Sequence, residues 1–418
     1  MPVKTEHSFK KEEISLRTIS SLDGSELHTD MSEKLERLRS DAPKIDIPKY
    51  PKAPEYKSNR FKRIYSRAIY FGAIVKQRLS RRDYPIISII VVNNHCNWDC
   101  VYCFGDYPNR REKDYTTDEL KFLIDSLYDK GVRYVNLHGG ETLMRNDMKE
   151  LSNHIKNKGM YLCIITNGSF FPEKLDDVRI ADNVTISIDG TEENNDHNRG
   201  KGSFKTALDA VEMLIKEKIP VRVSATLTKH SMNDIGFLAK LAHEKNFHIY
   251  FSILFKPLKK AKDCEMTSDE IRATIKEIQK YKGMGYPVFT SDDVLKASYE
   301  WPFDFNDKHH ATEAEIPDSY RPAHIPCYYS RTKFTVEADG CIYPCFLTTD
   351  GSFIPKNWKE VGVDEAIKHV QDTNVCKACP AMSQNDHNLL LGLNLKQVRY
   401  IIKDQIKESL GLKNKVSQ

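Results

Sequence analysis

From Tyr84 onward the chain alternates short apolar runs with amphipathic stretches. Ile86 to Val92 is a continuous β-branched run, the pattern of a parallel strand buried on both faces. Further strands are predicted at Tyr134 to His138, Tyr161 to Thr166, Val184 to Ile188, Val221 to Leu227 and Ile249 to Phe255. Helical spacing lies between them at Thr117 to Lys130, Met148 to Lys158, Phe204 to Lys218 and Asn233 to Lys245. Six βα units in series imply an α/β fold with a parallel sheet and right-handed crossovers, closed or partly closed into a (βα)6 barrel over residues 84–285.

The flanks read differently. Residues 1–83 are charged and proline-containing, without a strand pattern. Within them Lys57 to Arg82 holds nine basic residues and no acidic one, and Ile64, Ala68, Phe71, Val75 and Leu79 recur at helical spacing. That stretch predicts a docking helix with a solvated basic face, or a surface for anionic lipid head groups or a phosphorylated substrate. Residues 286–326 show no clear period and read as a linker. A cysteine-rich segment occupies 327–385, and residues 386–418 carry one apolar and basic helix, Leu389 to Leu410.

Lys and Arg total 63 against 59 Asp and Glu, a net charge of +4 over 418 residues, which gives no reason to expect a nucleic-acid partner. The first residues lack an apolar core behind a basic start, and the longest apolar run is far short of the roughly 20 residues a membrane span needs. The expectation is a cytoplasmic protein, with peripheral membrane contact through residues 57–82 as an option. Ten cysteines in a reducing compartment point to metal or redox chemistry before disulfides.

Directly after the first strand stands Cys96-x3-Cys100-x2-Cys103. Three thiolates on one short loop can bind three irons of a [4Fe–4S] cube and leave the fourth open to another ligand. A zinc site is the competing reading of such a triplet. The surroundings resemble the radical S-adenosylmethionine (SAM) superfamily, whose loop has this spacing with an aromatic residue, here Tyr102, before the third cysteine. The resemblance runs over roughly residues 84–260. It implies that Gly139, Gly140 and Glu141 hold the SAM amino group, and that Asn167 lies in the family turn after the third strand. It further implies that Ser187 and Asp189 face the ribose and that Arg199 pairs with the SAM carboxylate. No Gly-x-Ile-x-Gly pattern follows the fifth strand, so the adenine contacts stay unassigned.

Cys327, Gly340, Cys345 and a later Cys376-x2-Cys379 form a second pattern, with Ala338-Asp339-Gly340 as a hairpin turn between Lys333 to Glu337 and Cys341 to Tyr343. It resembles the Twitch domain, the shorter relative of the SPASM domain. That resemblance implies one auxiliary [4Fe–4S] cluster ligated by Cys327, Cys345, Cys376 and Cys379; a tetrathiolate zinc is the alternative. Cys341 is a spare, to be read as an inert thiol, a substitute ligand or a hydrogen-atom donor, and Cys163 and Cys264 as structural.

The resemblances imply an enzyme that reductively cleaves SAM to a 5′-deoxyadenosyl radical, which takes a hydrogen atom from a substrate C–H bond. An external one-electron reductant such as flavodoxin or ferredoxin would feed it. The favoured outcome is dehydrogenation or oxidative modification of a small molecule, sugar, or lipid-linked or phosphorylated substrate. Epimerisation, with Cys341 as donor, and maturation of a ribosomal peptide are the alternatives within the superfamily. A non-catalytic two-cluster electron carrier is the alternative outside it.

Overall fold

The β-branched run after Tyr84 becomes an interior strand. In the computed structural model, which describes residues 45–80, 82–254, 259–410 and 416, β1 (Ile87–Val91) is buried at every position. It pairs in parallel with β2 (Tyr134–His138), and β3 (Tyr161–Thr166), β4 (Asn183–Ser187), β5 (Val221–Leu227) and β6 (His248–Ile253) follow in chain order, each parallel to the last. The connecting helices start where local chemistry allows. Thr116, for example, caps Thr117–Asp129 in a reciprocal pairing with Glu119. Along β5 and β6 burial alternates, because one face packs on helices and the other borders a lumen. This is the expected partial (βα)6 barrel.

β7 (Ala311–Thr312) pairs with β11 (Cys376–Ala378) in a small separate sheet. The expected hairpin forms from β8 (Lys333–Val336) and β9 (Cys341–Tyr343). Its turn needs Gly340, whose φ is +101°, a conformation that costs an L side chain. One pairing is not legible in the sequence: β8 also runs parallel to β1, Ile87 opposite Lys333, and β10 (Lys356–Asn357) extends β9. The cysteine-rich segment and the barrel therefore share one nine-stranded sheet, in the order β10-β9-β8-β1-β2-β3-β4-β5-β6.

Three expectations are corrected. The C-terminal helix is two, Met382–Leu391 and Leu395–Leu410, broken at Gly392 and Leu393, the latter with φ +54°. The stretch after Tyr286 contains the helix Asp292–Tyr299, capped by Ser291. The helix Arg60–Ser80 docks through a different face from the predicted stripe. Ser66, Tyr70, Ile74 and Gln77 are buried, whereas Ile64, Ala68, Val75 and Leu79 are exposed, Leu79 by 79%. Two polar members of the docking face are satisfied, Ser66 donating to Asp182 at 2.9 Å and Gln77 to the Tyr84 carbonyl at 2.7 Å, whereas the Tyr70 hydroxyl is buried without a hydrogen-bond partner. Tyr70 sits edge-on to Tyr134, the first residue of β2, so this helix closes the N-terminal end of the barrel. Among the described residues no helix is long and apolar enough to cross a membrane.

Candidate functional site

The loop after β1 is held in place by backbone hydrogen bonds to the turn after β2. Gly140 N donates to the Asn93 carbonyl at 3.3 Å and Glu141 N to the His95 carbonyl at 2.7 Å, while Asn93 Nδ2 donates to the Glu141 carbonyl at 2.8 Å. A Cβ on Gly140 would lie 2.1 Å from the His95 oxygen, so only glycine permits this approach. On its other side the loop leans on the helix Glu192–Arg199, where Val101 N donates to the Asn198 carbonyl at 2.9 Å. Cys96, Cys100 and Cys103 are thereby set at the C-terminal end of the parallel strands, where α/β sheets place their ligands. Burial pushes the Cys96 thiol up to about 11 and the Cys100 thiol up to about 12; Arg199 opposes both shifts. Three half-buried thiols on one loop, with a guanidinium close by, are a donor set that fits an iron–sulfur cube with one iron left for another ligand.

Glu141 is 1% exposed and its carboxylate is fully engaged. Oε1 accepts from Thr166 Oγ1 at 2.6 Å and Leu143 N at 2.8 Å, and Oε2 from Asn167 N at 2.7 Å. Burial raises its pKa against those three donors. The side chain therefore braces the turns after β2 and β3 against each other. Asn167 reaches Asn97 at 2.9 Å and comes within 4.0 Å of the Cys96 sulfur. Asp189 and Arg199, read separately in the sequence, meet in a bidentate ion pair of 2.7 and 2.9 Å. Asp189 is fully buried and also accepts from the Tyr102 hydroxyl at 2.5 Å and Thr226 N at 2.8 Å. Ser187, at the end of β4 opposite Ser224, stays half-exposed.

Cys327, Cys345 and the Cys376-x2-Cys379 pair come from three places in the chain. A hydrogen bond between Cys327 and Cys376 lowers the pKa of the first and raises that of the second. Burial, with the neighbouring sulfurs, pushes Cys345 up to about 12 and Cys379 well above the thiol range. Four mutually perturbing thiols are a complete ligand set for a metal centre. Cys341 lies apart on β9; the groups whose ionisation it affects are Tyr115 and Tyr343.

A cavity of about 440 Å³ in the barrel lumen is lined by a residue that follows a cysteine of each group. Phe104, next to Cys103, and Phe346, next to Cys345, both line it, with ring centroids 5.2 Å apart. Its wall is the lumen face of the barrel, including Asn136, His138, Thr185, Ser224 and Tyr250. His138 Nε2 and Asn136 Oδ1 are buried there without a hydrogen-bond partner. Burial lowers the His138 pKa to about 3, so the ring is neutral. Opposite, buried Lys333 donates to the Tyr329 hydroxyl and to His387 Nδ1, the latter at 2.9 Å. Burial brings the Lys333 pKa down to about 7 and holds His387 well below the imidazole range. Sequence reasoning missed Lys333, His138 and His387. For His138 a signal was present: it precedes Gly139-Gly140-Glu141 and has the same strand parity as Asn136.

Residues 90–242 match the family described as the radical SAM superfamily. The chain carries a radical SAM domain. Its cofactors are those of that superfamily, SAM and a [4Fe–4S] cluster. Over 174 residues, 40% of this chain, the sequence is 33% identical to the Fe-coproporphyrin III synthase of Methanosarcina barkeri, covering 43% of that protein. Over 174 residues, 40% of this chain, it is 32% identical to the mycofactocin maturase MftC of Mycolicibacterium smegmatis, covering 44% of that protein. The match thus spans less than half of each relative. SuiB of Streptococcus suis bound to S-adenosylmethionine superposes with a TM-score of 0.56 over 84% of this chain and 77% of that one, at 16% identity, a likeness of fold.

Proposed function

We propose that the protein is a radical SAM maturase that oxidises a side chain of a peptide, inserted into the cavity in the barrel lumen. The observation that carries this reading is the cavity itself, bounded by Phe104 beside Cys103 and by Phe346 beside Cys345. When bound, SAM and its cluster supply the acceptor for a substrate hydrogen atom and the auxiliary cluster an acceptor for the second electron. The chain's own residues do the rest. Glu141 fixes the turns against which the SAM amino group would rest, with backbone carbonyls of Gly139 and Gly140 as acceptors. The Asp189–Arg199 pair leaves guanidinium edges and Ser187 near the place expected for the SAM carboxylate and ribose. His138 and Asn136 present unused polar atoms to the substrate, and Phe104, Phe346 and Tyr250 exclude water from it. A volume at the low end of small-ligand sites suits one inserted side chain and its backbone. Likeness to the PqqA peptide cyclase of Bradyrhizobium diazoefficiens, 27% identical over 175 residues, agrees with a peptide.

A second reading, oxidation of a free aromatic carboxylate, is favoured by one feature. Arg222 and Lys333 sit in the same aromatic wall, with the Arg222 guanidinium 4.5 Å over Phe289. Likeness to a coproporphyrin synthase agrees with that class. The two readings separate in one assay. Anaerobically reconstituted protein is incubated with SAM, dithionite and short peptides encoded beside its gene, and the peptides are weighed by mass spectrometry. The peptide reading expects loss of two hydrogens from one peptide, suppressed in Cys376→Ala while SAM cleavage persists. Unmodified peptides alongside turnover of a porphyrin carboxylate would replace it with the second reading.

A further inference from the structure

Apart from both cysteine groups, four potential ligands of mixed chemistry meet at the C-terminal end of the barrel. We propose that His197, His230, Asp263 and Cys264 form a separate site for one zinc-type divalent ion. Their donor atoms all lie within 4.8 Å of one another. A tetrahedral ion with bonds of about 2.0–2.3 Å needs donors roughly 3.5 Å apart, so a pair at the 4.8 Å limit has to close by about 1.3 Å, within reach of side-chain rotation. The imidazole rings of His197 and His230 are 4.0 Å apart, centroid to centroid. His230 Nε2 is buried without a hydrogen-bond partner, its nearest carboxylate oxygen on Asp263 at 3.7 Å. That is too long for a hydrogen bond and is the spacing of two atoms with a third between them.

The donors come from three segments already fixed by other contacts. His197 stands on the helix Glu192–Arg199, beside Asn198. His230 follows β5, its N–H donating to Thr228 Oγ1 at 3.2 Å, and the Thr228 hydroxyl in turn donates to Asn198 at 3.2 Å. Cys264 is anchored by Lys229 N, which donates to its carbonyl at 2.9 Å. Two imidazoles, one carboxylate and one thiol form a borderline set that suits zinc over calcium or magnesium, and a single sulfur excludes an iron–sulfur cube. Burial, and then the Asp263 carboxylate, push the Cys264 thiol up to about 11, and a bound cation would displace that proton. The ion would tie the loops after β5 and β6 to the helix whose Asn198 carbonyl holds the cysteine loop. This inference does not rest on the proposed substrate.

The test is zinc content and zinc X-ray absorption on the full chain with both iron–sulfur sites loaded, dialysed against a mild chelator. The result expected is about one zinc per chain with one sulfur and three nitrogen or oxygen neighbours. It falls to background in Cys264→Ser and in His197→Ala, a change at an exposed residue, with iron content unchanged. Zinc at background in the unaltered chain, zinc surrounded by four sulfurs, or zinc retained by both variants would overturn the site and leave a close, tilted histidine pair beside a buried thiol.

Discussion

Glu141 shows what a single buried carboxylate does here. It accepts three hydrogen bonds from two turns, so Glu141→Gln sets an amide donor against at least one of those donors, at a cost of about 1–3 kcal/mol. The expected outcome is a fall of about 10- to 100-fold in 5′-deoxyadenosine formation, with iron content preserved, measured by anaerobic chromatography. Asp386, in the cavity wall, gives a pH signature. Its Oδ1 accepts from Ser291 N and Gln397 Nε2 while Oδ2 is buried without a partner, and burial raises its pKa to about 7. A carboxyl with a folded pKa above its unfolded value of about 3.9 contributes stability that is full below that value and is lost as pH rises toward 7. Asp386→Asn removes the loss, so its Tm relative to the unaltered chain should climb between pH 5 and 7 and level off above; a constant difference would contradict the assignment. At this scale the sequence was legible where chemistry is local. The first cysteine spacing lies on one short loop, whereas the second is spread over residues 327–379 and was read from a family pattern rather than from local spacing. The Asp189–Arg199 pair was not legible, because each residue was read against a ligand rather than against the other, and pairing across a loop leaves no periodic trace. Lys333 and His387 were missed for the same reason.

The helix Arg60–Ser80 is the clearest lesson among the elements. Hydrophobic spacing chose Ile64, Ala68, Phe71, Val75 and Leu79, yet the buried face includes Ser66 and Gln77. Specific hydrogen bonds outweighed apolar area there: Ser66 meets Asp182, which is paired with Lys156 at 2.5 Å, both side chains being fully buried. Asp182→Asn would leave the Lys156 ammonium buried without its counter-charge and should cost about 3–5 kcal/mol, read as a lowered Tm. Leu79→Lys, on the outward face, should change stability by no more than about 0.5 kcal/mol. The reverse order of effects would restore the face predicted from spacing. The barrel strands were legible because each is short, apolar and bounded by helical spacing. The pairing of β8 with β1 was not, since 245 residues separate the β8 and β1 partners, and contact at that distance is set by the whole sheet.

For the whole molecule, that pairing is what matters. It carries the cysteine-rich segment to the edge of the barrel, where Phe346 meets Phe104 in the wall of the cavity. A carrier of electrons needs no such chamber. The radical SAM domain, with three thiols on a loop clamped by Gly140 and Glu141, predicts chemistry that begins at that loop. The most direct test is formation of 5′-deoxyadenosine by anaerobically iron-loaded protein given SAM and dithionite, beside Cys100→Ala handled identically. The account predicts cleavage by the unaltered chain and none by the variant, which keeps the iron of its second site. No cleavage by fully loaded protein, or equal cleavage by both, would contradict it.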